Sequence, residues 1–348
     1  MLPRFALLCL GAATMIAGSA ISQTPTDHYE SDLVPMPSID GETQTDSLTF
    51  GSDSTRRMTV QVRLGDTGPY NFLVDTGSER TVISRQLATR LGLQPGRTAR
   101  LHSIVGAGSV NTAIIPRLSL SKRQVGSIEA PMLEASNMGA DGMLGVDSLK
   151  SQNVLFDFKA QTMSISPSSN RAESLGDGTI VVKAQNRHGR LILTNATADA
   201  KRVTVVLDTG SQVTIGNPAL RRRLLGRKML GPSHTVTIES VTGHTIVGDY
   251  MILKELQIGG VAMSNLAIIF ADAHTFKQLG LDKKPALLLG MNAMRAFDRM
   301  SIDFANKRLR VILPKSSRAE GTEFANRGPW WTAVGSNHEG GGVRTENR

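Results

Sequence analysis

Apolar and polar residues alternate along short stretches of this chain. Met58-Thr59-Val60-Gln61-Val62-Arg63-Leu64 places an apolar side chain at every second position, and Lys201-Arg202-Val203-Thr204-Val205-Val206-Leu207 follows the same pattern. A period of two is that of a half-buried strand. Turn-forming residues punctuate the rest, and helical periods are few and short. The pattern predicts an all-β protein with a few short helices.

The elements also repeat. An apolar strand runs into Asp-Thr-Gly-Ser twice, at Phe72-Leu73-Val74-Asp75-Thr76-Gly77-Ser78 and at Val205-Val206-Leu207-Asp208-Thr209-Gly210-Ser211. Nine residues beyond each Asp stands a helix-capping residue, Ser84 or Asn217, the latter followed by Pro218. Both residue types accept hydrogen bonds from the first helical amides. Met143-Leu144-Gly145-Val146-Asp147 is matched by Leu288-Leu289-Gly290-Met291-Asn292, and Leu155-Phe156-Asp157-Phe158 by Ser301-Ile302-Asp303-Phe304. The three offsets are 133, 145 and 146 residues, so the second copy carries insertions before its later landmarks. This is a duplicated unit. It predicts two similar barrel-like lobes around a central cleft, over residues 58–168 and 179–314, joined by a Ser-, Asn- and Gly-rich linker at 169–178. Asp157 and Asp303 read as structural residues at the start of edge strands.

The ends change the picture in two ways. Residues 1–20, with Arg4, an apolar stretch from Phe5 to Ile16 and the small residues Gly18-Ser19-Ala20, have the build of a secretory signal. The one cysteine, Cys9, lies inside that segment, so a disulfide scaffold, a zinc ribbon and a cysteine nucleophile are excluded for the exported chain. The protein is expected to be exported, periplasmic or secreted. No apolar run after residue 30 approaches the length of a membrane span. Residues 21–57 read as an acidic flexible arm, with seven acids between 23 and 55, whereas the body from Arg56 to Pro314 carries a net charge of +14. Such a body attracts anionic surfaces, including lipid. It lacks the interleaved aromatics that nucleic acid would require. The tail 315–348 has no periodicity and reads as disordered. Within it, Trp330-Trp331 fits either a packing anchor or a partner contact.

The chemistry lies in the twin loops. An apolar run buries each strand, so its aspartate emerges at the edge of the core, and the glycine permits a sharp turn and close approach. A third Asp-Thr-Gly, Asp66-Thr67-Gly68, stands between Gly65 and Pro69 and reads as a hairpin turn. If the two copies pack face to face, Asp75 and Asp208 meet. Two carboxylates that close share a proton, and their titrations split. One then serves as base toward water, the other as acid toward a carbonyl oxygen. Thr76 and Thr209 are placed to bond across to the opposite loop. Ser78 and Ser211 can donate to the carboxylates, and Gly77 and Gly210 complete the loops. The expected function is peptide-bond hydrolysis.

These motifs resemble those of aspartic proteases of the retropepsin and pepsin type, in a single-chain, two-lobed bacterial form. The resemblance covers Met58 to Leu313. It implies that Gly145 and Gly290 mark turns crossing beneath the aspartate loops, that no cofactor or metal takes part, and that the substrate is a polypeptide in extended conformation. It also implies glycine-bearing flaps. Ser103-Ile104-Val105-Gly106-Ala107-Gly108-Ser109 fits one, with Val105, Gly106, Ala107 and Gly108 at its tip. Val241-Thr242-Gly243-His244 stands at the corresponding place in the second copy, with Thr242 and Gly243 as the contacts. Three features depart from the family. Neither flap has a tyrosine, Val146 and Met291 stand where retropepsins place an arginine, and the arm is acidic where pepsin-like pro-segments are basic.

Other chemistries find no support. The histidines lack metal-ligand spacing, no Gly-x-Ser-x-Gly elbow is present, and Gly106-Ala107-Gly108 lacks the setting of a dinucleotide loop. Arg221-Arg222-Arg223 reads as a solvated helix face, with contact to an anionic membrane surface as the alternative. One chain supplies both halves, so a monomer is expected. The competing class is a catalytically silent peptide-binding module of the same fold.

Overall fold

The computed structural model describes residues 46–52 (backbone only), 58–120, 123–149, 152–168, 179–187, 190–225 and 234–314. The expected signal peptide, linker and tail, including Trp330-Trp331, lie outside these residues, as does most of the acidic arm.

The first half contains β1 (Asp46–Ser52), β2 (Met58–Leu64), β3 (Thr67–Val74), β4 (Val82–Ser84), α1 (Arg85–Arg90), β5 (Pro95–His102), β6 (Ala107–Ile115), β7 (Leu118–Leu120), β8 (Arg123–Val125), β9 (Ile128–Leu133), α2 (Ala135–Met138), β10 (Gly142–Leu144), β11 (Gln152–Asp157) and β12 (Thr162–Pro167). The second contains β13 (Ile180–Lys183), β14 (Gln185–Arg187), β15 (Arg190–Leu193), β16 (Ala196–Ala198), β17 (Lys201–Arg202), β18 (Thr204–Leu207), β19 (Thr214–Gly216), α3 (Pro218–Leu225), β20 (His234–Glu239), β21 (Thr245–Ile258), β22 (Val261–Phe270), α4 (His274–Gln278), β23 (Ala286–Leu289), α5 (Met291–Met294), β24 (Arg299–Asp303) and β25 (Arg308–Ile312). The fold is all-β with short helices, as the periodicity predicts.

Local sequence explains the elements that carry the aspartates. In β2, Met58, Val60, Val62 and Leu64 are buried while the residues between them face outward. The strand pairs with β3 across a turn at Gly65 and Asp66, where Gly65 takes a φ of +58°. The Asp66-Thr67-Gly68 tripeptide is thus the hairpin the sequence predicts. Phe72, Leu73 and Val74 are all fully buried because β3 is covered on both faces. Phe72 and Val74 join the main core, and Leu73 joins a separate cluster with Val82, Leu133, Met138 and Met143. In β18 the arrangement recurs, with Val205 and Leu207 in the main core and Val206 in a cluster with Ile192, Ile215 and Leu288. A strand buried on both faces has no polar positions, which is why the alternation gives way to a solid apolar run before each aspartate.

Each lobe crosses its own chain in the same way. β3 pairs in parallel with β10, and β18 with β23, so each Gly turn ends beside an aspartate loop. α1 begins at Ser84, whose hydroxyl accepts from the Leu87 amide at 3.1 Å. α3 begins after Asn217, whose side chain accepts from the Leu220 amide at 2.8 Å.

The lobes are joined by a six-stranded sheet in the order β13-β25-β24-β11-β12-β1, whose central pair, β11 and β24, comes one from each half. This corrects two expectations. Asp157 and Asp303 end the two central strands rather than starting edge strands. Asp157 accepts from Arg299 of the other half at 2.7 Å, and Asp303 accepts from the Asn306 amide at 2.9 Å. The arm expected over 21–57 is also not an arm throughout, because Asp46–Ser52 forms β1. That strand pairs with β12 through Leu48 and with β2 through Phe50. Leu48-Thr49-Phe50 alternates, a strand signal masked by the acidic composition around it. Among the described residues, no helix is long and apolar enough to cross a membrane.

Candidate active site

Strands β3 and β18 deliver Asp75 and Asp208 to matching positions. The Asp75 amide donates to Leu144 O at 3.0 Å and the Asp208 amide to Leu289 O at 3.1 Å, so each aspartate is tied to the strand that precedes its Gly turn. The Gly77 amide donates to Asp75 Oδ1 at 2.8 Å, and the Gly210 and Ser211 amides donate to Asp208 Oδ1 at 3.1 and 3.2 Å. Backbone donors therefore hold each carboxylate in place.

The two loops clasp each other. Thr76 N donates to Thr209 Oγ1 at 2.9 Å, and Thr209 N donates to Thr76 Oγ1 at 3.1 Å. Each hydroxyl passes its own proton to a backbone carbonyl of the other lobe, Thr76 to Leu207 O at 3.3 Å and Thr209 to Val74 O at 2.7 Å. Both threonines are buried, at 2% and 0% exposure. The carboxylates cross to the opposite loops. A Cβ added to Gly77 would stand 2.5 Å from Asp208 Oδ1, and one added to Gly210 would collide with the Asp75 carboxylate. Glycine is required at both positions because the opposite lobe's carboxylate fills the space a side chain would need.

Electrostatics follow from this closeness. Burial, together with the charge of Asp75, pushes the Asp208 carboxyl up to about 7 against the opposing pull of Arg190. Asp208 itself keeps some surface exposed. Two carboxylates this close favour sharing a proton over ionising together.

The serines behave differently from expectation. Ser78 Oγ donates to Arg80 O and Ser211 Oγ to Val213 O, each at 2.7 Å. A hydroxyl has one proton, so neither serine donates to a carboxylate through its side chain. They shape the loops instead, and only the Ser211 backbone reaches Asp208.

Gly145 and Gly290 lie where the resemblance implies. A Cβ on Gly145 would strike the Arg80 carbonyl group, and one on Gly290 that of Val213. The residues after each glycine donate back to the aspartate loop, Val146 to Ser78 O and Met291 to Ser211 O, both at 2.9 Å. Where an arginine is missing, polar side chains brace each lobe. Asp147 accepts from Thr81 N, Thr81 Oγ1 and Ser148 N at 2.8–3.0 Å, and burial pushes its carboxyl up. Asn292, its counterpart, bonds to Thr214 Oγ1 at 2.9 Å and to Ala267 O at 2.8 Å.

Both expected flaps are hairpins. β5 and β6 are joined by a turn in which Ser103 N donates to Gly106 O at 2.8 Å, so Ile104 and Val105 stand at the tip, Gly106 closes the turn, and Ala107 and Gly108, expected at the tip, open the return strand. β20 and β21 are joined through Ser240–His244, where Gly243 has a φ of +78° and Thr242 bonds to the His244 ring at 3.1 Å. The tips cross to opposite lobes. Ile104 packs on the second-lobe cluster that contains Val206, Val241 packs on the first-lobe cluster that contains Leu73, and Gly243 abuts Asn137. Apolar residues at both tips and the glycine of the second flap make the cross-lobe contacts. The first flap is further tied to α4, where His274 N donates to Ile104 O at 2.7 Å and His102 Nδ1 meets His274 Nε2 at 2.9 Å with rings 9° apart.

Two β lobes each supply one aspartate to a shared, threonine-clasped site. A family model described as aspartyl protease matches residues 60–148 and 194–293, one stretch in each lobe and together more than half of the chain. The chain belongs to the aspartyl protease family. Comparison with curated proteins returned no match.

Proposed function

We propose that the protein is an endopeptidase in which Asp75 and Asp208 activate a water between them. One observation carries this reading: each carboxylate is set against the glycine of the opposite loop while two buried threonines fix the loops to one another. That arrangement supports a mono-protonated pair. The ionised member takes a proton from water as it attacks the scissile carbonyl, and the protonated member donates to the carbonyl oxygen. A second proton transfer to the departing nitrogen releases the two products. No covalent intermediate is needed. Substrate would bind as an extended strand against the edges of the hairpins. The build of residues 1–20 supports export, so exported or envelope polypeptides are the proposed substrates.

The test is cleavage of an unbiased peptide library by the mature protein from pH 3 to 8, with and without a statine-type transition-state analogue. Cleavage blocked by the analogue supports the proposal. Folded protein that binds peptides and never cuts them would instead establish a silent binding module.

A further inference from the structure

Arg190, at the start of β15, is a buried cation that the sequence gives no reason to single out. It is 7% exposed, its Nε donates to Gly77 O of the opposite lobe at 2.6 Å, and its Nη1 donates to Gln278 Oε1 of α4 at 3.2 Å. Gly77 is also the residue whose backbone lies against the Asp208 carboxylate. The guanidinium therefore grips the loop that covers Asp208, at a residue two positions beyond Asp75. Burying an arginine is costly unless its donors are engaged and its charge is used.

We propose that Arg190 is a positioning residue for the aspartate pair, fixing the Gly77 backbone over Asp208 and supplying a permanent positive charge that keeps the pair singly ionised under acidic conditions. The inference rests on the protease reading for its catalytic meaning, but not for its electrostatic one. Asp208 and His102 lie in the field of Arg190. Asp208, which also feels Asp75, is held down by it against burial, and His102 of the first flap is pushed down by burial, His274, Arg100 and Arg190. His102 is therefore pushed toward its neutral form, whereas Arg190 carries its charge throughout.

The sign of the effect is definite. Removing a nearby positive charge disfavours the carboxylate, so both macroscopic steps of the pair should move to higher pH, by about one unit. The doubly protonated form, which has no base, then appears at higher pH. Three variants separate charge from structure: Arg190→Met removes both, Arg190→Gln keeps an amide donor without charge, and Arg190→Lys keeps charge without the planar fork.

Two readouts are required. The first is the pH profile of kcat/KM on a library-derived peptide, and the second is carbon-13 NMR titration of labelled aspartate carboxylates, which needs no turnover. The acid limb and the carboxylate titration should rise by about one pH unit in the Met and Gln variants and stay near wild type in the Lys variant. If Met and Gln lose rate equally at every pH, with the NMR titration unmoved, Arg190 is only a clamp and the proposal fails. If wild-type protein never cleaves while the NMR titration still shifts, the protease reading fails and the electrostatic role of Arg190 stands.

Discussion

The clasp between the two loops makes a quantitative prediction. Thr209→Val preserves shape and removes the hydroxyl that accepts from Thr76 N and donates to Val74 O. Thr76 and Val74 are buried, at 2% and 0% exposure, so water cannot replace the lost partner. Leaving a buried donor and a buried acceptor unmade costs about 1–3 kcal/mol each. The expected loss is about 2–6 kcal/mol, which in a body of this size lowers Tm by about 4–15 °C. Thr209→Ser keeps both bonds and loses one methyl group, for about 1 kcal/mol. Thermal unfolding followed by circular dichroism measures the difference, and kcat on one peptide tests whether alignment of the aspartates fails with it. Val and Ser variants that melt together, or a Val variant within about 2 °C of wild type, would refute the claim that this hydroxyl holds the lobes in register.

Further consequences follow from the same geometry. Gly77→Ala and Gly210→Ala each push a methyl group into the opposite carboxylate, so affinity for a statine-type analogue should fall by at least about tenfold while circular dichroism stays native, and unchanged affinity would contradict the crossed arrangement. Asp208 binds its proton more tightly in the folded chain than in the unfolded one. Folding stability should therefore decline as pH rises from about 4 toward about 7, and Asp208→Asn should remove that part of the slope in Tm-versus-pH curves. An identical slope in the variant would show that another group, such as the buried Asp147, is responsible. The flap histidines act in the opposite sense. Burial and neighbouring cations push both down, so their pairing is present above about pH 6.5 and is lost as pH falls below it. His274→Ala should raise amide exchange at residues 102–107 at neutral pH, and exchange equal to wild type would show that Ile104 alone holds the flap.

Much of this was legible in the sequence because it was carried by local signals repeated twice. The solid apolar runs before Asp75 and Asp208 marked strands covered on both faces, Ser84 and Asn217 marked helix starts, and the two glycine turns could be paired by offset alone. The crossing threonines were legible once the copies were imagined face to face. What escaped was long-range. Ser78 and Ser211 have the right chemistry to reach a carboxylate, but the turn after each aspartate offers a nearer carbonyl, and a local acceptor wins. Asp147 stood in plain view within a repeated landmark. Its partner Thr81 lies 66 residues earlier, so its bracing role required the fold. Arg190 is the extreme case, since its partner Gly77 is 113 residues away in the other lobe and nothing near it in the chain is unusual. The central pairing of β11 with β24 was hidden for the same reason, and Asp157 and Asp303 were consequently misplaced at sheet edges.

The most direct test of the account is the rate of peptide cleavage by Asp75→Asn and Asp208→Asn, measured beside wild type at the wild-type optimum on one substrate. A single shared pair requires both carboxyl groups, so each variant should lose at least about 1,000-fold in kcat/KM while remaining folded. Cleavage that survives in either variant would show that the two aspartates do not form one catalytic unit.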